Sequence, residues 1–383
     1  MSIPKKILIF IDWYLPGYKA GGPIQSCANL IAHLGGEFSF YIVTRNTDYC
    51  SDQPYASVAS DTWEEVNGGQ CYYISKGNLS YRKLKSLFNE VSPDMVYING
   101  IYSPYFSVLP LVIAKRLKHD RVIIAGRGML AASAVNVKSV KKRLFFNLAR
   151  LMKLYKGVQF HATNEFERND IKSKLGTETP VVIAPNLPAK QSKVAKNFFR
   201  SKVTGELRLV SVARISPEKN PYFALDLLTK YQGTSKITFD IFGPVYDEAY
   251  WIECQKLLEA MPANVAVNYC GSLRKEEVET TLSSYHALFL PTLGENFGHV
   301  ILESMAAGCA VLISDQTPWK ELYSKGVGYD IPLTKPERFL KAIDDLANLD
   351  QEGFNSLSDR AFAFAKSYIE NEDHLEANRK LFR

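Results

Sequence analysis

Short apolar runs rich in Val, Ile and Phe alternate with longer stretches of helical periodicity along almost the whole chain. Continuous Val/Ile runs separated by helices are the signature of parallel sheets covered on both faces. In the first half the runs predict strands at 6–12, 38–44, 71–75, 94–99, 121–125, 158–163 and 181–184. Helices are expected between them at 23–34, 80–91, 103–118, 137–156 and 165–175. The alternation starts afresh after 186–206, a polar and basic stretch that begins PNLPAKQSK. Strands then follow at 207–213, 236–242, 265–270, 286–290 and 309–313. Helices are expected at 221–231, 247–261, 274–284, 298–307, 318–324 and 335–348. A chain of 383 residues has room for two such domains. The expected division is 1–190, a linker at 191–205, a second domain at 206–354, and a terminal helical segment at 355–383 that packs back toward the first domain. Both domains are α/β and doubly wound, so ligands are expected outside the carboxyl ends of the strands and in the cleft between the domains.

Composition removes several function classes. The net charge of +6 is too small to make nucleic acid the default partner. Its distribution says more: residues 1–190 hold 24 basic and 14 acidic residues, and residues 191–383 hold 22 and 26. One half is thus suited to an anionic surface or ligand. The N-terminal apolar run is short and has no small-residue cleavage site behind it, which argues against a secretory signal. No apolar run is long enough for a membrane span. The six cysteines are scattered without a CxxC pair and read as buried free thiols of a reducing, cytoplasmic compartment.

Three segments after strands carry the chemistry. The first is Glu295-Asn296-Phe297-Gly298-His299-Val300 and onward to Glu303, directly after the strand at 286–290. Asn296 is placed to cap the helix, Gly298 lets a ligand approach, and the N–H groups at Phe297, Gly298 and His299 offer an anion site. Glu295 and Glu303 flank that site and suit sugar and ribose hydroxyls; the alternative is a capped surface helix with incidental acids. The second is Arg214-Ile215-Ser216-Pro217-Glu218-Lys219, where an Arg and a Lys straddle a strand-to-helix turn and can meet one phosphate, unless the loop is simply solvated. Glu218 is expected to face away or pair locally. The third is Gly21-Gly22 before the first helix, which suits a phosphate or sugar but also marks ordinary turns.

These segments, in this order, resemble a retaining glycosyltransferase of family 4, and GRGMLAASA after the strand at 121–125 resembles the acceptor-domain loop of bacterial O-antigen and capsular polysaccharide enzymes of that family. The E-x7-E element from Glu295 to Glu303 and the ISPEKNP segment carry the resemblance most specifically. It implies a GT-B fold, with two Rossmann-like domains facing across a cleft. It implies that Arg214 and Lys219 neutralise the donor diphosphate, and that the backbone at Phe297, Gly298, His299 and Val300 binds phosphate. Glu303 would hold the ribose, Glu295 would contact the transferred sugar, and Gly21 and Gly22 would close over the diphosphate or guide the acceptor. The base is expected at Gly271, Ser272 and Leu273. The implied donor is a nucleotide diphosphate sugar, UDP-linked by family frequency, and the implied acceptor is a lipid-linked diphosphate saccharide. Many members carry a His in the acceptor-domain loop; here that loop reads Gly126-Arg127-Gly128-Met129, so Arg127 is its positional substitute and His161 the other candidate, with a buried structural histidine favoured over a catalytic one at 161. A phosphorylase, an epimerase, or a binding module without turnover are the alternatives.

Two further signals bear on partners. The loop GRGMLA also matches a dinucleotide fingerprint, but no Asp or Glu occurs between 121 and 164 to hold the ribose. No Asp-x-Asp occurs either, so no metal or other cofactor is expected. Residues 138–156 hold Lys138, Lys141, Lys142, Arg143, Arg150, Lys153 and Lys156 and no acid. On a helical wheel Val137, Val140, Leu144, Leu148, Leu151 and Tyr155 share a face, expected to pack on the sheet. The basic face, with Phe146, is then expected either to be solvated or to meet an anionic membrane and its lipid-linked acceptor on the inner side of the cell membrane.

Overall fold

The computed structural model describes residues 3–130, 139–190 and 200–383. The chain forms two compact units, 1–190 with 371–383, and 191–370. Residues 191–199 of the linker expected at 191–205 lie outside the described residues, but its continuation is no free tether. Arg200 and Lys202 are buried in the second unit.

The first unit carries β1 (Lys6–Ile11), α1 (Gly22–Leu34), β2 (Ser39–Arg45), β3 (Trp63–Val66), β4 (Gly69–Ile74), α2 (Tyr81–Val91), β5 (Met95–Asn99) and α3 (Leu109–Arg116). It continues with β6 (Val122–Ala125), α4 (Ser139–Leu151), β7 (Gln159–Ala162), α5 (Glu165–Leu175) and β8 (Val181–Ile183). Its sheet runs β3-β4-β2-β1-β5-β6-β7-β8. All pairings are parallel except β3 with β4. Alternate residues of β1 enter opposite cores: Leu8 and Phe10 pack on one face, Ile7, Ile9 and Ile11 on the other. Burial of both faces explains the unbroken apolar runs.

The second unit carries β9 (Glu206–Val212), α6 (Pro221–Thr229), β10 (Lys236–Phe242), α7 (Glu248–Lys256), β11 (Val265–Tyr269), α8 (Lys275–Leu282) and β12 (Ala287–Leu290). Then follow α9 (His299–Ala306), β13 (Ala310–Ser314), β14 (Gly328–Ile331), α10 (Pro336–Ala347) and α11 (Gln351–Ile369). The six-stranded sheet runs β11-β10-β9-β12-β13-β14 and every pairing is parallel. The order reverses between β9 and β12, which is the topological switch point where open α/β sheets bind ligands.

Several sequence expectations need correction. The β3–β4 hairpin was not anticipated; Asn67 and Gly68 turn it with positive φ of 55° and 81°. Residues 318–324 are not a helix. Glu321 has φ 60°, and the Glu321 and Leu322 N–H groups donate to the Asp330 carboxylate instead of to helical carbonyls. The segment 355–383 is not one element either. It comprises most of α11 and a separate helix α12 (Glu372–Phe382), restarted by Asn371, whose side chain accepts from Asp373 N–H at 2.9 Å. Only α12 joins the first unit, through Phe382 packed against Phe38, Phe40 and Tyr97. Two of the cysteines, Cys50 and Cys270, are exposed; the other four are buried.

Candidate functional site

The switch point of the second unit is built from two loops tied together. Leu293 N–H and the Thr292 hydroxyl both donate to the Glu218 carbonyl at 2.8 Å, and Asn220 Nδ2 donates to the Pro291 carbonyl at 3.0 Å. The Glu218 side chain is exposed, consistent with a backbone role only. Across these ties Lys219 Nζ bonds directly to the Glu295 carboxylate, both side chains being largely buried. Arg214, at the end of β9, lies over the Tyr246 ring at 4.7 Å. Thus Lys219 and Glu295, expected at phosphate and sugar respectively, are partners of each other.

Helix α9 begins at Gly298, with φ 75° and no side-chain cap. Asn296 is therefore not the N-cap. A left-handed backbone is more readily adopted by glycine than by Asn, so the cap falls two residues later than expected. The Phe297 side chain turns inward. Its ring is buried between Trp319 and Tyr368, and its carbonyl accepts from Trp319 Nε1 at 2.5 Å. This holds the turn from which α9 starts, at the helix end whose backbone N–H groups favour an anion. At the other end of the helix the Arg200 guanidinium binds the Ala307 and Gly308 carbonyls, the complementary charge for that terminus.

Glu303 sits in the second turn of α9. Its carboxylate accepts no hydrogen bond among the described residues, and burial pushes its pKa up to about 6, against the pull of Lys275. A half-buried carboxylate without protein donors suits hydroxyl groups that arrive with a ligand. The loop Gly271-Ser272-Leu273 follows β11, and Gly243 N–H ties it to the rest by donating to the Gly271 carbonyl at 2.8 Å. Gly243 was not singled out from the sequence. A Cβ there would lie 1.8 Å from the Ala213 carbonyl oxygen, so the ends of β9 and β10 require glycine.

In the first unit the strand ends hold a second cluster. Arg127, with φ 52°, donates to Tyr97 Oη at 2.9 Å, Asn99 Oδ1 at 2.8 Å and Asn186 Oδ1 at 2.7 Å. Its three partners are neutral. His161 is buried and supports them: Nε2–H donates to the Ala184 carbonyl at 2.8 Å, leaving Nδ1 to accept from Tyr97 at 2.7 Å. Burial, with Arg127 beside it, pushes its pKa down to about 3. His161 is thus a neutral prop for Tyr97 and Arg127, not a residue facing substrate. Gly21 and Gly22 open α1 without a side-chain cap. Their loop is held by Asp48, which accepts from Tyr18 N–H at 3.1 Å and Lys19 N–H at 3.3 Å. Sequence reasoning missed Asp12, which accepts from Arg45 at 3.0 Å and from Ser103 at 2.8 Å; the signal was its position just after β1.

The basic segment is turned opposite to expectation. Lys138 lies outside the described residues, as do the side chains of Lys141, Lys142 and Arg143. In α4 the inward residues are Phe145, Phe146 and Ala149; both rings pack on Tyr102, at 5.5 and 5.8 Å. Leu144, Leu148, Leu151 and Met152 face outward, 54–81% exposed. Two aromatic rings bury more apolar surface than the leucine stripe, and the helix turns accordingly. Arg150, Lys153 and Lys156 are exposed beside the leucines.

Residues 193–362 match the family model of glycosyl transferases group 1. The match spans nearly all of the second unit, including both loops of the switch point. No curated protein matches the chain by sequence. Solved structures match over its whole length. HepE of Anabaena, in complex with UDP and glucose, is 14% identical, covers 98% of each chain and has a TM-score of 0.70. Sucrose-phosphate synthase of Thermosynechococcus elongatus is 15% identical, covers 99% of each and has a TM-score of 0.70. WaaG, a glycosyltransferase involved in lipopolysaccharide biosynthesis, is 13% identical, covers 98% of this chain and 99% of its own, and has a TM-score of 0.69. The chain has the GT-B fold, two Rossmann-like units with parallel sheets.

Proposed function

We propose that the chain is a retaining, metal-independent glycosyltransferase of the family 4 type. It moves a sugar from a nucleotide diphosphate sugar, a UDP-sugar in the first instance, to a lipid-linked saccharide in surface polysaccharide assembly. The observation that carries this reading is the switch point of the second unit. There the Lys219–Glu295 pair, Arg214, a helix start without a side-chain cap and the half-buried Glu303 carboxylate all lie on the segments that follow β9 and β12. A diphosphate arriving there competes with Glu295 for Lys219. Once Lys219 turns to phosphate, Glu295 is released to accept from a hydroxyl of the donor sugar. Arg214 and the N–H groups of α9 add to the charge that stabilises the departing phosphate. The bond from the anomeric carbon to the phosphate oxygen breaks as the acceptor oxygen bonds to that carbon, and the acceptor proton passes to the leaving phosphate. Such a step needs positioning and charge stabilisation rather than a protein nucleophile. Incubation with radiolabelled nucleotide sugars and bacterial lipid extract tests it: label should enter the lipid phase with the donor's anomeric configuration. Release of free sugar phosphate, or an inverted product, contradicts it.

The acceptor's membrane fits α4. No helix among the described residues is long and apolar enough to cross a membrane. The outward leucines and Met152 instead offer an apolar stripe flanked by cations, which suits shallow insertion among anionic headgroups. Each buried leucine is worth about 1.5–3 kcal/mol and each cation about 1 kcal/mol. The chain is therefore expected to float with anionic vesicles and not with neutral ones, and the L148E/L151E variant to stay in solution. Equal flotation of that variant contradicts the insertion.

A further inference from the structure

The segment that ends β13 and runs on to Trp319 is bonded along the loop that opens α9. Ser314 Oγ donates to the Thr292 carbonyl at 2.5 Å, Glu295 N–H donates to the Gln316 carbonyl at 2.9 Å, and Trp319 Nε1–H donates to the Phe297 carbonyl at 2.5 Å. The indole is itself locked. Trp319 N–H donates to Thr317 Oγ1 at 3.2 Å, and the buried ring packs on Phe297, Phe364 and Tyr368 with centroids 5.1–6.3 Å apart. Packing alone would be met by a phenylalanine; an indole N–H buried among aromatic rings is costly unless it is bonded, and here it is bonded to one backbone carbonyl.

That bond sets a direction as well as a position. The Phe297–Gly298 peptide is trans and planar, so its N–H points opposite to its carbonyl. With the carbonyl turned to the buried indole, the Gly298 N–H is aimed away from the aromatic cluster, at the positive end of α9. Glycine does not hold this plane by itself, since its backbone is permissive, and no side chain caps the helix. The flipped peptide would present a carbonyl oxygen where the N–H stands, which repels an anion. We propose that Trp319 is the positioning residue of the phosphate site: its indole N–H keeps the 297–298 peptide in the orientation that offers a donor to a diphosphate. The Gln316 carbonyl holds Glu295 from the same segment, so one template sets the spacing between the group assigned to the sugar and the N–H assigned to phosphate. This inference rests on the nucleotide-sugar reading of the switch point.

Trp319→Phe keeps a ring in the cluster and removes the N–H. The probes are UDP, GDP and ADP, and the nucleoside of whichever binds the parent. W319F should bind that diphosphate about tenfold more weakly, the upper end for one hydrogen bond, and bind the nucleoside as the parent does, because only the phosphates meet the Gly298 N–H. Equal binding of the diphosphate by parent and W319F, or weakening of diphosphate and nucleoside by the same factor, overturns the proposal. The parent supplies a second measurement that stands even if W319F does not fold. The chain has four tryptophans, so Phe variants of Trp13, Trp63 and Trp251 identify the Trp319 indole N–H proton resonance by elimination. It should shift on saturation with the diphosphate, because its acceptor carbonyl shares a peptide with the N–H that meets phosphate, and stay in place with the nucleoside. No shift, or the same shift with both, overturns the proposal. If the parent binds none of the three diphosphates, the reading of the site fails and this inference falls with it. If the parent binds one but the Trp319 measurements come out against the proposal, this inference alone fails.

Discussion

Replacing Lys219 by alanine is expected to lower the rate of sugar transfer by about 10²–10³-fold, the usual cost of removing one group that stabilises a developing oxyanion. The same change should also destabilise the folded chain. Lys219 and Glu295 are paired while largely buried, so removing the cation leaves a carboxylate without its partner. Removing Glu295 as well should restore most of that stability but none of the activity. Thermal melts and transfer rates of K219A, E295A and the double variant separate the two effects. A double variant that regained transfer would show the pair to be structural only.

Glu303 should show the opposite coupling between stability and function. Burial raises its pKa from 4.5 to about 6 in the folded chain. The folded state therefore holds the proton more tightly than the unfolded one. The resulting stabilisation is complete below about pH 4.5 and is lost as pH rises through about 6, so at pH 8 the ionised side chain costs about 2 kcal/mol. Glu303→Gln removes that charge. The variant should be more stable than the parent at pH 8 by up to about 2 kcal/mol, with the difference vanishing below pH 4.5. It should also bind a nucleoside diphosphate about 10–100-fold more weakly, the worth of hydrogen bonds to a charged acceptor. In the parent, affinity should fall as pH drops through 6, because protonation removes the acceptor. Unchanged affinity in E303Q would place the ribose elsewhere.

Much of the architecture was legible because parallel sheets buried on both faces leave long apolar runs that turn chemistry punctuates. What failed has local physical causes. β3 is short, carries Glu64 and Glu65, and forms an edge; its Asn67-Gly68 turn was the available signal. The helix expected at 318–324 lost to Asp330, which draws the N–H groups of Glu321 and Leu322. α4 has apolar residues on two faces, and only the presence of Tyr102 beneath it decides which is inward. In the candidate site, Lys219 and Glu295 were legible as separate chemical groups, but their mutual pairing was not, because they lie 76 positions apart. The supports of Arg127 were equally hidden: Tyr97, Asn99 and Asn186 converge only through the order of strands β5 to β8.

The central claim is that the β9–β12 switch point is a nucleoside diphosphate site. Calorimetric titration of the parent and of K219A with UDP, GDP, ADP and CMP tests it without knowledge of the acceptor. One nucleoside diphosphate should bind the parent with micromolar affinity and bind K219A at least about tenfold more weakly, a loss of ~1.4 kcal/mol. Binding by none of the four, or equal binding by parent and K219A, would contradict it.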